Sequence, residues 1–183
     1  MLTGLPNRRY AMDRFLELWE EAIRQDMPIA CMMIDADHFK KVNDTYGHDA
    51  GDKVLVELAK KLLDVFRKDD VVCRLGVDEF LIICPNTNLK SIVAIAQRIL
   101  RSINQFAVPV GNSFWYGSLS IGVVARLADM DNFEALIKMA DQSLYLAKQS
   151  GRNCVKTIFD QRKTRSQEVK TRGVLPNSNG QQS

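Results

Sequence analysis

Residues 71–84 read VVCRLGVDEFLIIC, two apolar runs on either side of Leu75, Gly76, Val77, Asp78 and Glu79. Runs of β-branched and apolar residues broken by a short Gly-containing centre predict a β-hairpin. The flanks are apolar at nearly every position, which suits strands covered on both faces rather than a half-exposed ribbon. Turns use Gly and Asp for local reasons, so an ordinary hairpin turn stays open as a reading. A second acidic turn, Asp35 and Asp37, follows another wholly apolar run, IACMMI at residues 29–34. Carboxylates at the ends of buried strands are costly unless a cation or donor meets them, which raises the question of a metal.

The chain has 183 residues, 46% hydrophobic and 26% charged, the profile of one ordinary domain with a sizeable core. No apolar run reaches membrane-spanning length and no signal peptide opens the chain. The stretch therefore reads as cytoplasmic, alone or as the cytoplasmic part of a larger membrane protein, with no membrane contact of its own. A net charge of +3, owed largely to the tail, gives no footprint for a nucleic acid polymer. Cys31, Cys73, Cys84 and Cys154 stand in or beside apolar runs without C-x-x-C spacing and read as reduced core residues. Residues 161–183 are poor in apolar side chains and read as a disordered tail, leaving residues 1–160 as the folded domain.

In chain order, Asn7 caps a helix with Ala11, Phe15, Leu18, Trp19 and Ala22 on one face. The run at residues 29–34 is a central strand. Residues 35–51 read as a polar irregular stretch, and Asp52 opens a helix carrying Val54, Leu55, Leu58, Leu62 and Val65. After the hairpin come a helix at residues 88–104, a second hairpin (residues 106–110 and 114–124) about Gly111-Asn112, a helix at 131–149, and an edge strand at 154–159. Gly122 suggests close approach of another element. Helices alternating with mixed strands predict an α/β (α+β) fold, a largely antiparallel sheet with helices on its faces.

Five stretches together resemble one family: LTGLPNRR from Leu2, DADHFKKVNDTYGHDAGD from Asp35, RLGVDEF from Arg74, SIGV from Ser120 and AKQSGRN from Ala147. In this order and spacing they are similar to the GGDEF family of diguanylate cyclases. The resemblance implies a palm-like fold related to adenylyl cyclases and the joining of two GTP molecules into cyclic di-GMP by a homodimer. It implies Mg²⁺ or Mn²⁺ at Asp35, the Ala36 carbonyl, Asp78 and Glu79, with catalysis resting on Asp78, Glu79 and Lys40. Two such ions can clamp the attacking and leaving oxygens of an in-line displacement. Asn43 and Asp52 would read guanine, with His48 and Gly76 also at the nucleotide. Phe39 and Lys40 would lie beside the phosphates, and Lys148 and Arg152 would grip the β- and γ-phosphates. Arg67 and Asp70, in an R-x-x-D pattern, and Arg98 would bind cyclic di-GMP as an inhibitor; such a pattern is otherwise an ordinary surface ion pair. The family usually follows a sensor or coiled coil, and this sequence leaves no room for that upstream domain.

One position departs from the signature: Val77 stands where the family has a second glycine. If the turn demands φ above zero, a β-branched residue there costs on the order of 1 to 3 kcal/mol. Falling only on the reactive complex, that strain slows the reaction by about 10- to 100-fold. Two functions follow: a cyclase of reduced activity, or a non-catalytic module that binds GTP or cyclic di-GMP or only dimerises.

Overall fold

The computed structural model describes residues 2–160, so the tail expected at residues 161–183 lies outside the described residues. In chain order the elements are α1 (Arg8–Gln25), β1 (Ile29–Ala36), α2 (Phe39–Tyr46), α3 (His48–Leu63), β2 (Val71–Arg74), β3 (Glu79–Pro85), α4 (Leu89–Asn104), β4 (Ala107–Val110), β5 (Ser113–Tyr116), β6 (Leu119–Ala125), α5 (Phe133–Gln149) and β7 (Cys154–Lys156). Asn7, Asn88 and Asn132 cap α1, α4 and α5, each side chain accepting from a backbone N–H of the first turn.

Five strands form one sheet in the order β2-β3-β1-β6-β7. All neighbours are antiparallel except β6 and β7. The α/β fold is therefore the expected one, with a mixed, mostly antiparallel sheet. Every residue of β1 is buried, and alternate side chains face opposite ways. Ala30, Met32 and Ile34 join a core with Leu55, Leu58, Ile92 and Ile99 of α3 and α4. Ile29, Cys31 and Met33 join a second core with Phe15 of α1 and Leu136 and Ala140 of α5. Two covered faces explain why both strand runs are apolar without alternation. All four cysteines are free, and burial pushes their thiols upward, that of Cys73 to about 11.

The structure corrects three local expectations. Residues 35–51 are not irregular: β1 runs on through Asp35 and Ala36, α2 follows, and α3 starts at His48, before Asp52. Only Phe39 and Val42 of α2 are buried, so two turns of helix are anchored by two side chains in an otherwise polar segment. The strand expected at 114–124 is two strands. β5 pairs with β4 in a separate two-stranded sheet, whereas β6 joins the main one. The break falls at Gly117, where a Cβ would strike the backbone carbonyl and side chain of Ile103. Last, β7 ends at Lys156. Gly122 does mark a close approach, since an added Cβ would collide with backbone atoms of Ala140, Ser143 and Leu144 on α5.

Candidate active site

The carboxylates gather because of strand register. Asp35 near the end of β1 lies opposite Glu79 on β3 and Ser120 on β6, and directly opposed residues share a face of the sheet. The Ala36 N–H donates to the Asp78 carbonyl at 3.1 Å, fixing the hairpin tip against the end of β1. Lys148, in the last turn of α5, places its Nζ 2.7 Å from Asp35 Oδ2. Burial raises the Asp35 carboxyl above its ordinary range, and the charges of Asp78 and Asp37 add to this while Lys148 opposes it. Asp78 is raised as well, by burial first, with Glu79 adding and Lys148 and Arg74 opposing. These acids are held short of cations, and one of the cations they have is a lysine.

The hairpin tip is a turn of Leu75 to Asp78, closed by the Leu75 N–H donating to Glu79 O at 2.9 Å. The Arg74 guanidinium donates twice to the Val77 carbonyl, at 2.6 and 3.1 Å, and stiffens the turn. Gly76 makes room for Glu79, whose Oε2 would lie 3.2 Å from an added Cβ. Val77 is not among the described residues with positive φ, and its side chain is 62% exposed. The backbone strain that a positive φ would bring is therefore absent at Val77.

On the other face of the sheet, α2 and α3 carry the residues compared with a guanine pocket. Asn43 points at Gly51, where a Cβ would overlap its amide, and its Oδ1 is buried with no hydrogen-bond partner. Asp52 follows Gly51 directly, so Asn43 and Asp52 flank one junction. Asp52, His48 and Lys40 are exposed. Phe39 is only 3% exposed and belongs to the core, so its side chain is not available to a phosphate and only its backbone could be.

The R-x-x-D residues form a turn, with Asp70 Oδ2 accepting from the Arg67 N–H at 2.8 Å and the Asp70 N–H donating to Arg67 O. Arg98 reaches the same connection from α4 and donates to Val65 O at 3.3 Å. Arg67, Asp70 and Arg98 therefore share one surface, apart from the acids.

Two residues received no role of their own in the sequence reading. Arg74 lay inside a quoted motif without a role. Asp37, 2% exposed, accepts from Ser118 Oγ, Ser120 Oγ and the Asn153 N–H. No spacing rule finds it, because its donors lie far along the chain.

Among the described residues, no group of three or more His, Cys, Asp or Glu side chains is arranged to hold a metal ion. The donors at the end of β1 nonetheless suit a hard cation. Mg²⁺ is commonly held by one or two carboxylates with substrate phosphates completing the shell. Two carboxylates raised first by burial and then by neighbouring acids, one of them already paired with an ammonium, fit that pattern.

A sequence profile described as diguanylate cyclase, GGDEF domain, matches residues 1–154. The response regulator PleD of Caulobacter vibrioides is 44% identical over 156 residues, 84% of this chain and 34% of PleD, so the chain spans about a third of that relative. The GGDEF domain of YfiN from Pseudomonas aeruginosa superimposes with a TM-score of 0.79 at 33% identity, covering 84% of this chain and 96% of that one. The GGDEF domain of DgcB from Caulobacter crescentus, solved in complex with c-di-GMP, gives a TM-score of 0.81 at 28% identity, covering 85% and 92%. With the profile spanning nearly all the described residues, and the signature acids at the strand ends, this chain belongs to the GGDEF-domain family of diguanylate cyclases.

Proposed function

We propose that this domain joins two molecules of GTP into cyclic di-GMP, each of two facing domains of a homodimer holding one GTP. The gathering of Asp35, Asp78 and Glu79 about the ends of β1 and β3, with Lys148 on Asp35, carries the reading. Asp35 and Asp78, with Glu79 and the Ala36 carbonyl, are the groups that would hold Mg²⁺ or Mn²⁺, which when bound neutralises triphosphate charge and activates the attacking 3′-hydroxyl. Lys148 passes from Asp35 to the β- and γ-phosphates as the triphosphate enters, and Arg152 joins it. The N-terminus of α2, just past Ala36, offers free N–H groups and Lys40 to the phosphates. Asp52 accepts from the guanine N1 and N2 hydrogens, and the unpartnered Asn43 side chain completes the edge; adenine would leave these groups unpaired. His48 and Gly76 border the nucleotide.

With the backbone strain absent, only contact between the Val77 side chain and substrate would slow the cyclase, and an exposed side chain that can turn aside without moving the strands supports a domain that is not silenced. The surface shared by Arg67, Asp70 and Arg98 supports a second site for the product, and the c-di-GMP bound to the DgcB domain supports that ligand.

Chromatography of a reaction with GTP and Mg²⁺ is expected to show cyclic di-GMP from the wild-type chain and at least about 100-fold less from Asp78→Asn. GTP binding without any product from the wild type would make the domain a non-catalytic receptor instead. For the second site, Arg67→Ala is expected to weaken calorimetric binding of cyclic di-GMP at least about tenfold, since guanidinium contacts to phosphate are charge-assisted. Unchanged affinity would remove the inhibitory site.

A further inference from the structure

Asp37 is a buried carboxylate with no cation among its recorded partners in the described residues, and such a group persists only where donors surround it. Its donors come from separate parts of the fold. Ser118 Oγ donates to Oδ2 at 2.6 Å and Ser120 Oγ to Oδ1 at 2.7 Å, both from the β5–β6 junction and β6. The third donor is the Asn153 N–H, 3.0 Å from Oδ2, in the connection between α5 and β7. The Asp37 N–H is itself fixed on Ser118 O at 2.9 Å.

That connection is strained. Gly151, Arg152 and Asn153 have φ of 101°, 66° and 46°, so two successive non-glycine residues sit in the left-handed region. Asparagine enters that region readily, but an arginine there holds only where the surroundings over-determine it. The Arg152 N–H on Ala147 O ties the turn to α5 from above, and Asp37 ties it from below. The turn carries Arg152, and the last turn of α5 just before it carries Lys148.

We propose that Asp37 is a positioning residue for triphosphate recognition: through Ser118, Ser120 and the Asn153 amide it holds the strained turn that aims Arg152 and Lys148 at the β- and γ-phosphates. The inference rests on the functional reading above. It makes preference for a triphosphate over a monophosphate depend on a side chain that touches neither.

Electrostatics alone gives the opposite sign. Deleting a negative charge beside an anion site favours binding of the anion. Asp37→Asn removes the charge but keeps an oxygen acceptor for the Asn153 N–H, whereas Asp37→Ala removes both. Calorimetry with α,β-methylene-GTP, which cannot react, and with GMP separates the effects. The preference for the triphosphate is expected to fall at least about tenfold in Asp37→Ala and to stay within about threefold of wild type in Asp37→Asn, with GMP affinity changing less than about twofold in both. Should Asp37→Ala not fold, Ser118→Ala combined with Ser120→Ala is expected to move the preference the same way. Hydrogen exchange on the unliganded protein adds a readout independent of nucleotide. The Asn153 amide, on an exposed residue, is expected to be protected in wild type and Asp37→Asn and unprotected in Asp37→Ala. A wild-type preference retained in Asp37→Ala, or equal weakening of GTP analogue and GMP, overturns the inference alone. A wild-type chain that binds the triphosphate no better than GMP overturns it together with the functional reading.

Discussion

Asp78 lies at the hairpin tip with its carboxyl raised above the ordinary aspartate value of 3.8, chiefly by burial and then by Glu79. In the range between the unfolded and folded values, the folded state therefore holds a proton that the unfolded chain has released. Stability falls as pH rises through that window. Asp78→Asn removes the charged form altogether, so it is expected to raise Tm at neutral pH by on the order of a few degrees while abolishing product formation. The gain should vanish below the carboxylate range. An unchanged or lowered Tm at neutral pH would show that Asp78 is compensated already. Asp35 is the poorer test, because its removal would leave Lys148 unpaired. At this scale the sequence was informative about acids that end apolar runs, since burial of a carboxylate is a physical anomaly visible in the pattern. It marked Asp37 as an acid after an apolar run but not its role, because its two hydroxyl donors lie 81 and 83 residues away.

The β2–β3 hairpin was legible as an element, because few alternatives suit two apolar runs around a Gly-containing centre. Its conformation was not. The expected strain at Val77 assumed a tight turn with positive φ, whereas Val77 does not take a positive φ and Arg74 braces the tip through the Val77 carbonyl. Val77→Gly is therefore expected to loosen the turn slightly, costing about 0.4 to 1 kcal/mol in denaturant unfolding through a more flexible unfolded chain. The same change should raise the rate of cyclic di-GMP formation by no more than about tenfold. Stabilisation by glycine would mean that valine is strained after all. Helix α2 was missed because eight residues with two buried positions carry too little periodicity to separate helix from loop. The break between β5 and β6 was hidden because Gly117 serves packing against Ile103 rather than a tight turn.

At the scale of the molecule, the mostly antiparallel sheet with helices on its faces followed from the order of elements, but the neighbour order β2-β3-β1-β6-β7 did not. Nothing local says that β6, late in the chain, lies beside β1. That adjacency brings Ser120 and Lys148 to Asp35 and places α2 and α3 across the sheet from α5, so the residues proposed for guanine and for the terminal phosphates lie on opposite faces at the end of the central strands. Among the described residues no helix is long and apolar enough to cross a membrane. Under the proposed function Asp35 and Asp78, distant in sequence, share one divalent cation with a guanosine triphosphate. This claim is tested most directly by electron paramagnetic resonance of Mn²⁺ titrated into the protein with α,β-methylene-GTP. Manganese is expected to bind the wild-type complex and to lose at least about tenfold in affinity in Asp35→Asn and in Asp78→Asn alike; wild-type manganese affinity in either variant would contradict the claim.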